Sequence, residues 1–547
     1  MSAPITAIGL DAADPVLVEE WMEQGHLPIL ASLRAQGGYG TLENLGFYKA
    51  ETPWTCFLTG CEPEKSGYWT PVDFVEGTYD AREIQAYTYQ EYPPFYALGE
   101  DYRVAVFDIP QSTLSDKVNG PQVLAWGAHS PQTPSHSLPP ELFDQITQEF
   151  GEHPALHKDH GEWWNPDYLR RVHAAMKKGI ERRIKICRNW LEQERWDLFF
   201  TIFGETHSAG HDLWHLSRPD HPLYGAMRDV FDFDPLLDIF KDVDEAVGEI
   251  LESSPNDAYN VVFSVHGSDN NVTDVASMVL LPEFLYRYSF PGKCMMAVGD
   301  SSKPVGPALL PIRQREWQHE LWDYRYDPDP KRRLLKKLTP RKAHRKISKM
   351  FGGGLAPDLY SPAELQALGK DVTWQPTSWY SKVWKDMVAF ALPTFSEGYV
   401  RVNLKGREPN GIVDPSDYEK VCKDIETELL KLTNPRNGKP VVKQVLHTRS
   451  SGTNNDPNLP PADLVLVWAE EPADVVDHPS LGRIGPVPYR RSGSHRGRGF
   501  WAASGPTIRP GTSFPHAHAL DLTATFVELL DAEVPSYMDG KPIISLS

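Results

Sequence analysis

The sequence predicts a three-layer α/β/α fold built on a mainly parallel, doubly wound sheet. Two observations carry that expectation. Several short runs rich in Val, Ile and Phe are apolar on both faces, as strands buried between two helix layers are. Stretches of helical period lie between them, so strand and helix alternate along the chain.

Taken in order, the first run is Ile5–Leu10, which ends at Asp11 in Gly9-Leu-Asp-Ala-Ala-Asp14. Val104–Phe107, Leu198–Phe203, Val261–Val265, Leu464–Val467 and Phe500–Ala503 repeat the pattern, each closed by a polar or glycine-containing turn. Helical periodicity marks Pro15–Gln36, Tyr168–Glu194 and Pro235–Glu252. Asp234 before Pro235 suits a helix start, with a capping carboxylate and then a proline in the first turn. From 286 to 385 the alternation stops. This stretch holds Pro and Gly punctuation, the basic run from Lys331 to Lys346, and then Gly352-Gly-Gly354. It is expected to be an insertion or cap, which leaves a core in two parts, 1–285 and 386–547. The basic run reads as a solvated charged helix or as a lid that gathers an anionic substrate.

A chain of 547 residues with 40% hydrophobic content, 24% charged content and 16 Trp describes a folded protein and excludes a disordered one. Its net charge of −19 argues against a general nucleic-acid binder, because phosphate backbones demand basic surfaces. It leaves room for a small anionic substrate, since a metal supplies positive charge locally. The five cysteines (Cys56, Cys61, Cys187, Cys294 and Cys422) form no CxxC pair and no even set, so a reducing, cytoplasmic setting is expected. The N-terminal residues read as a strand and not as a signal peptide. No apolar run reaches the length of a membrane span, and no membrane partner is expected.

In doubly wound sheets, ligands sit beyond the carboxyl ends of the strands. Asp11 follows the first run. Leu198–Phe203 leads into Gly204-Glu-Thr-His-Ser-Ala-Gly-His211, where His207 and His211 are four apart. On a helical turn they share a face and can grip one metal ion. His266 follows the run that ends at Val265, and His495 precedes the last run. Alone, each reads as an ordinary structural residue. Four segments delivering Asp, a histidine pair, His and His to one edge read as a metal site.

The segments Gly9-Leu-Asp11-Ala-Ala-Asp14 and Leu27-Pro-Ile-Leu-Ala-Ser-Leu-Arg-Ala-Gln-Gly37 resemble the opening of the type I phosphodiesterase/nucleotide pyrophosphatase family of the alkaline phosphatase superfamily. Thr52-Pro-Trp-Thr-Cys-Phe-Leu-Thr-Gly60, then Pro63-Glu-Lys-Ser-Gly67, is similar to its nucleophile segment. Val402–Val413, His495–Pro506, Asp521–Phe526 and Met538–Lys541 are similar to its later signatures. The resemblance spans 1–285 and about 386–547, in the family's order. It implies an alkaline-phosphatase-type fold and a metal-dependent hydrolase of phosphodiester, phosphomonoester or sulfate ester bonds. It implies divalent metals, most often zinc, with iron or manganese as alternatives. By the same resemblance the nucleophile is Thr52, with Thr55 as the alternative. Asp11 and His266 then belong to one metal, His211 and His495 to the other. Arg496, Arg498 and Lys405 are candidates for holding an anionic group.

Two positions depart from the family pattern. Where the family has Asp-x-x-x-His, this chain has His207-Ser-Ala-Gly-His211, and where it has Ser-Asp-His-Gly, this chain has Ser264-Val-His-Gly267. The first site becomes a three-histidine set of His207, His211 and His495, suited to zinc or iron. The second keeps Asp11, His266 and a Thr hydroxyl, with Glu205 or Asp269 as a compensating carboxylate. One or two ions are therefore expected. Two other readings follow from the departures. One keeps the fold but uses a histidine-rich, mononuclear site for transferase, lyase or oxidative chemistry on a specialised metabolite; the other is a non-catalytic binding protein. Retention of Asp11, Thr52, His211, His266 and His495 favours a working site.

Overall fold

In the computed structural model, Ile5–Leu10 is an inner strand of a ten-stranded sheet among the described residues, and all six of its residues are buried. The described residues are 2–45, 52–84, 86–127, 133–296, 298–311, 316–326, 330–339, 358–454 and 456–544. The sheet runs in the order Thr512–Ser513, Gly38–Glu43, Arg498–Ser504, Tyr259–Ser264, Ile5–Leu10, Leu198–Phe203, Val104–Phe107, Gln122–Leu124 and His136–Leu138. Ala517–His518 also pairs with Gly38–Glu43. The five strands from Tyr259–Ser264 to Gln122–Leu124 are parallel. Arg498–Ser504 and His136–Leu138 are antiparallel to their neighbours.

Alternation along the strands sorts their side chains to two faces. Ile5 and Ala7, Val104 and Val106, Leu198, Phe200 and Ile202, and Val261 and Phe263 share one core cluster with Phe57 and Phe526. Phe57 and Phe526 come from the helices Pro53–Thr59 and Ala519–Leu529. Phe107, of opposite parity, packs instead against Trp126 and Trp190, the latter from the helix Pro166–Gln193. That helix packs in turn against Pro235–Glu252. Each face of the sheet therefore has its own helix layer.

The predicted helix over 15–36 is two helices, Pro15–Glu23 and Pro28–Gln36. Gly25 takes a left-handed φ of 77° and Pro28 opens the second helix, so the periodicity continues across a break that the backbone makes. Asp234 caps Pro235–Glu252 as expected, accepting from the N–H groups of Leu236 and Leu237 at 3.0 Å each.

The chain divides into two compact units: 1–71, 85–271 and 491–547 form the first, and 72–84 and 272–490 the second. These boundaries differ from the expected ones at 285 and 385, because 386–490 belongs to the second unit and supplies the strands of a separate sheet. In the second unit Ala389–Leu392, Gly398–Val402, Leu464–Trp468 and Val442–His447 form a four-stranded antiparallel sheet. The run at 464–467, expected in the central sheet, lies here. An apolar strand reads the same wherever both its faces are covered, so its pattern does not name its sheet. Asp463 anchors the region, accepting from Arg407, Tyr418 and the Val402 N–H. The first part of the basic run is the helix Pro330–Leu338. Its remainder and Gly352–Gly354 lie outside the described residues. Among the described residues, no helix is long and apolar enough to cross a membrane.

Asp234→Ala removes the carboxylate oxygen that accepts both capping bonds and is expected to lower the free energy of unfolding by about 1 kcal/mol in denaturant titration. An unchanged midpoint would show that the cap contributes nothing.

Candidate metal centre

Parallel strands bring their carboxyl ends to one edge of a sheet, and an antiparallel neighbour begins at that edge. Asp11 therefore follows Ile5–Leu10, the helix Glu205–Asp212 follows Leu198–Phe203, and His266 lies just past Tyr259–Ser264, all at the same edge. Arg498–Ser504 starts opposite Ser264, which brings the preceding Gly493–Arg496 there too. Gly493–Arg496 pairs with Gly267–Asn270 and places His495 across from Ser268. Gly9 permits close packing below, since a Cβ there would lie 2.2 Å from the Ile202 Cδ1 atom.

On this edge the three imidazoles of His207, His211 and His495 converge, all buried. The Nε2 atom of His211 lies 3.2 Å from that of His207 and 3.0 Å from that of His495. Nitrogens bound tetrahedrally to one zinc at about 2.0–2.1 Å would be about 3.3 Å apart, so the spacing fits a shared ion. The orientation of His211 is set from behind. Its Nδ1 donates to the Gly493 carbonyl at 2.6 Å, which assigns the proton to Nδ1 and leaves Nε2 as the donor atom for a metal. Ser492 fastens the same helix end, donating to the His211 carbonyl through its N–H at 3.1 Å and its hydroxyl at 2.8 Å. Position 493 admits only glycine without a shift, because a Cβ would meet the Gly210 carbonyl at 2.1 Å.

The second pair of expected ligands is bound to itself. His266 Nε2 lies 3.0 Å from Asp11 Oδ1, and the Trp54 indole donates to the same oxygen at 2.8 Å. Val265 is wholly buried and belongs to the hydrophobic core, and its carbonyl accepts from Asn44. The residues present thus fit an ion at the three-histidine site. Beside Asp11 a carboxylate and an imidazole remain, and the apolar Val265 offers no third ligand there. Thr52 is buried at the start of Pro53–Thr59 with non-helical φ and ψ of −122° and −3°, and its side chain makes no capping bond. Thr55 sits within that helix and also is buried.

The other nominated residues have partners elsewhere. Glu205, nominated as a compensating ligand, accepts from His153 at 3.0 Å and Arg183 at 3.2 Å. Arg183 also donates to Asp108 at 2.7 Å. Asp269 accepts from Arg498 at 3.2 Å, while Arg498 is held by Asp14 at 2.7 Å. Arg496 donates to the carbonyls of His495 and Asn270 and to Ser494. Lys405, in the second unit, pairs with Asp414 at 2.9 Å. The cation beside the histidines is instead the buried Arg491, whose Nη1 lies 3.3 Å from His211 Nε2.

Sequence reasoning also missed His160. Its ring centroid is 4.7 Å from that of His211 and 5.4 Å from that of His207. The readable signal was the Asp159-His160-Gly161 tripeptide, outside any strand end and so outside the search.

Burial by itself would raise the Glu205 pKa, but Arg183 and His153 outweigh it and hold the carboxyl at about 2. The stability this group contributes is therefore fully present above its ordinary value of 4.5 and is lost as pH falls toward 2. Glu205→Gln is expected to cost about 3–5 kcal/mol at neutral pH by leaving a buried guanidinium short of counter-charge. It should also flatten the stability profile in that acid window. Denaturant melts of both forms across the window measure this, and parallel profiles would reject it.

Residues 6–286, just over half of the chain, match the family model for type I phosphodiesterase/nucleotide pyrophosphatase. Among solved structures, phosphonoacetate hydrolase from Sinorhizobium meliloti 1021 in complex with phosphonoformate aligns at 13% identity, over 97% of this chain and 96% of that one, with a TM-score of 0.47. The same enzyme in complex with phosphonoacetate aligns at 13% identity over the same shares, with a TM-score of 0.40. An inactive form of murine ectonucleotide pyrophosphatase/phosphodiesterase 5 in complex with AMP aligns at 10% identity, again over 97% and 96%, with a TM-score of 0.45. No curated protein matches the sequence. On the extent of the family match, the chain belongs to the type I phosphodiesterase/nucleotide pyrophosphatase family.

Proposed function

We propose that this chain is a hydrolase of phosphodiester bonds, or of related phosphomonoester or sulfate ester bonds, that works with one metal ion and the Thr52 hydroxyl. The observation that supports it most is the convergence of the His207, His211 and His495 Nε2 atoms at 3.0–3.2 Å on the sheet edge. When bound there, a divalent ion such as zinc supplies Lewis-acid stabilisation of charge on a phosphoryl oxygen. The three imidazoles hold the ion, and the Gly493 carbonyl keeps His211 aimed at it. Arg491 stands beside them, and its guanidinium suits a small anionic substrate. Thr52 Oγ forms a bond to phosphorus as the bond to the leaving oxygen breaks, with its proton passing to that oxygen. Water then cleaves the ester on Thr52, releases the product and restores the hydroxyl. Asp11, gripped by Trp54 and His266, braces the start of the turn that follows the first strand.

A second reading has its own support. Val265 in the core and the closed Asp11–His266 pair point away from the two-metal arrangement of the family and toward a repurposed mononuclear site. Elemental analysis of the purified chain, beside assays on bis-p-nitrophenyl phosphate, p-nitrophenyl phosphate and p-nitrophenyl sulfate, separates the two. We expect about one zinc per chain. Turnover of at least one ester should fall in Thr52→Ala to the uncatalysed rate with the metal retained. Metal without turnover of any ester would move the assignment to the repurposed site. His207→Ala is expected to lower metal content, and unchanged stoichiometry would remove His207 from the ligand set.

A further inference from the structure

We infer, on the metal reading just given, that His160 is a fourth imidazole ligand of the ion held by His207, His211 and His495. The candidate ligand nitrogens of His160, His207 and His211 all lie within 4.8 Å of one another. A tetrahedral zinc holds its nitrogens about 3.3 Å apart, so an ion shared with His207 and His211 would draw the His160 ring inward from this spacing.

The backbone around His160 is arranged to present this side chain. His160 has a φ of 55°, the left-handed region that glycine or asparagine would occupy at lower cost. The loop is tied to both helical ligands through their chain neighbours. Ser208, next to His207, donates to the Asp159 carboxylate at 2.5 Å. Asp212, next to His211, accepts the His160 N–H at 2.9 Å and the Tyr168 hydroxyl at 2.8 Å. Tyr168 in turn accepts the Gly161 N–H at 2.8 Å. These bonds fix residues on either side of the His160 ring to the helix that carries His207 and His211.

Four neutral imidazoles leave the ion its full double charge. Such a set selects zinc, iron, copper or nickel over magnesium, calcium or manganese. Four imidazoles fill a tetrahedral zinc, so a substrate oxygen would reach the ion only where one of them yields its place.

The test is X-ray absorption spectroscopy of the zinc-loaded full-length chain, with zinc affinity measured by chelator competition. The variants are His160→Asn and His160→Gly, both of which tolerate the left-handed backbone and so keep the loop. The native chain should show four imidazoles and each variant three. Zinc affinity should fall at least by the roughly 10–100-fold that loss of an outer partner costs. Variants with the native spectrum and affinity would overturn the role of His160 and leave the three-histidine reading standing. A native chain that takes up no zinc, iron or copper would overturn both. Loss of zinc in His207→Ala alone would likewise assign the site to three histidines.

Discussion

The geometry of the centre depends on one topological constraint, the meeting of parallel carboxyl ends with an antiparallel amino end on a single sheet edge. Ile5–Leu10, Leu198–Phe203 and Tyr259–Ser264 run in the same direction, and Arg498–Ser504 runs against them. Asp11, the histidines of Glu205–Asp212, His266 and His495 are thereby collected from positions up to 484 residues apart, from Asp11 to His495. Asp108, just beyond Val104–Phe107, arrives at the same edge. The sheet's pairing assembles the group, and the Gly493 and Gly210 backbones approach closely enough to lock it.

Beneath the histidines lies a second layer of buried charge. Arg183, which is fully buried, sits between Asp108 and Glu205, and His153 closes the chain of contacts. Unpaired, any one of these ions would be costly in such a place; together they orient the first turn of the helix that carries His207 and His211. Glu205, two residues before a metal-binding candidate, gives its Oε1 to His153 and Arg183, while its Oε2 makes no hydrogen bond. Its charge is already matched to a guanidinium. The same holds for Asp269 and Arg498, which neutralise each other and Asp14 at the rim.

The departures from the family pattern are thus of two kinds. Where the pattern has a carboxylate, His207 offers an imidazole whose Nε2 lies 3.2 Å from that of His211. Replacement of the other by Val265 removes a ligand outright, and the surrounding core has closed over the side chain. Family membership places the chain among hydrolytic enzymes of the phosphodiesterase/pyrophosphatase type. At those two positions the chain carries an imidazole and an apolar side chain where the pattern has carboxylates.

Much of this was legible without coordinates. Both-face apolar runs marked Ile5–Leu10, Val104–Phe107 and Leu198–Phe203 as buried strands, and the four-residue spacing of His207 and His211 placed them on one helical face. Asp234 announced its helix by local chemistry alone. Such features are set by near neighbours in the chain, where propensity and period act directly. Tertiary structure decided the rest. It moved the apolar strand at 464–468 to a separate antiparallel sheet, since burial on both faces is compatible with either. It assigned Glu205, Arg496 and Arg498 to partners tens or hundreds of residues away, which no local pattern encodes, and Lys405 to Asp414, nine residues on. It also brought His160 and Arg491 to the histidines from segments with no strand-end signature. The sequence by itself determined which residues are able to bind a metal, because that is a property of side chains. Which of them meet was decided by strand order and direction, because those set distances that sequence separation does not.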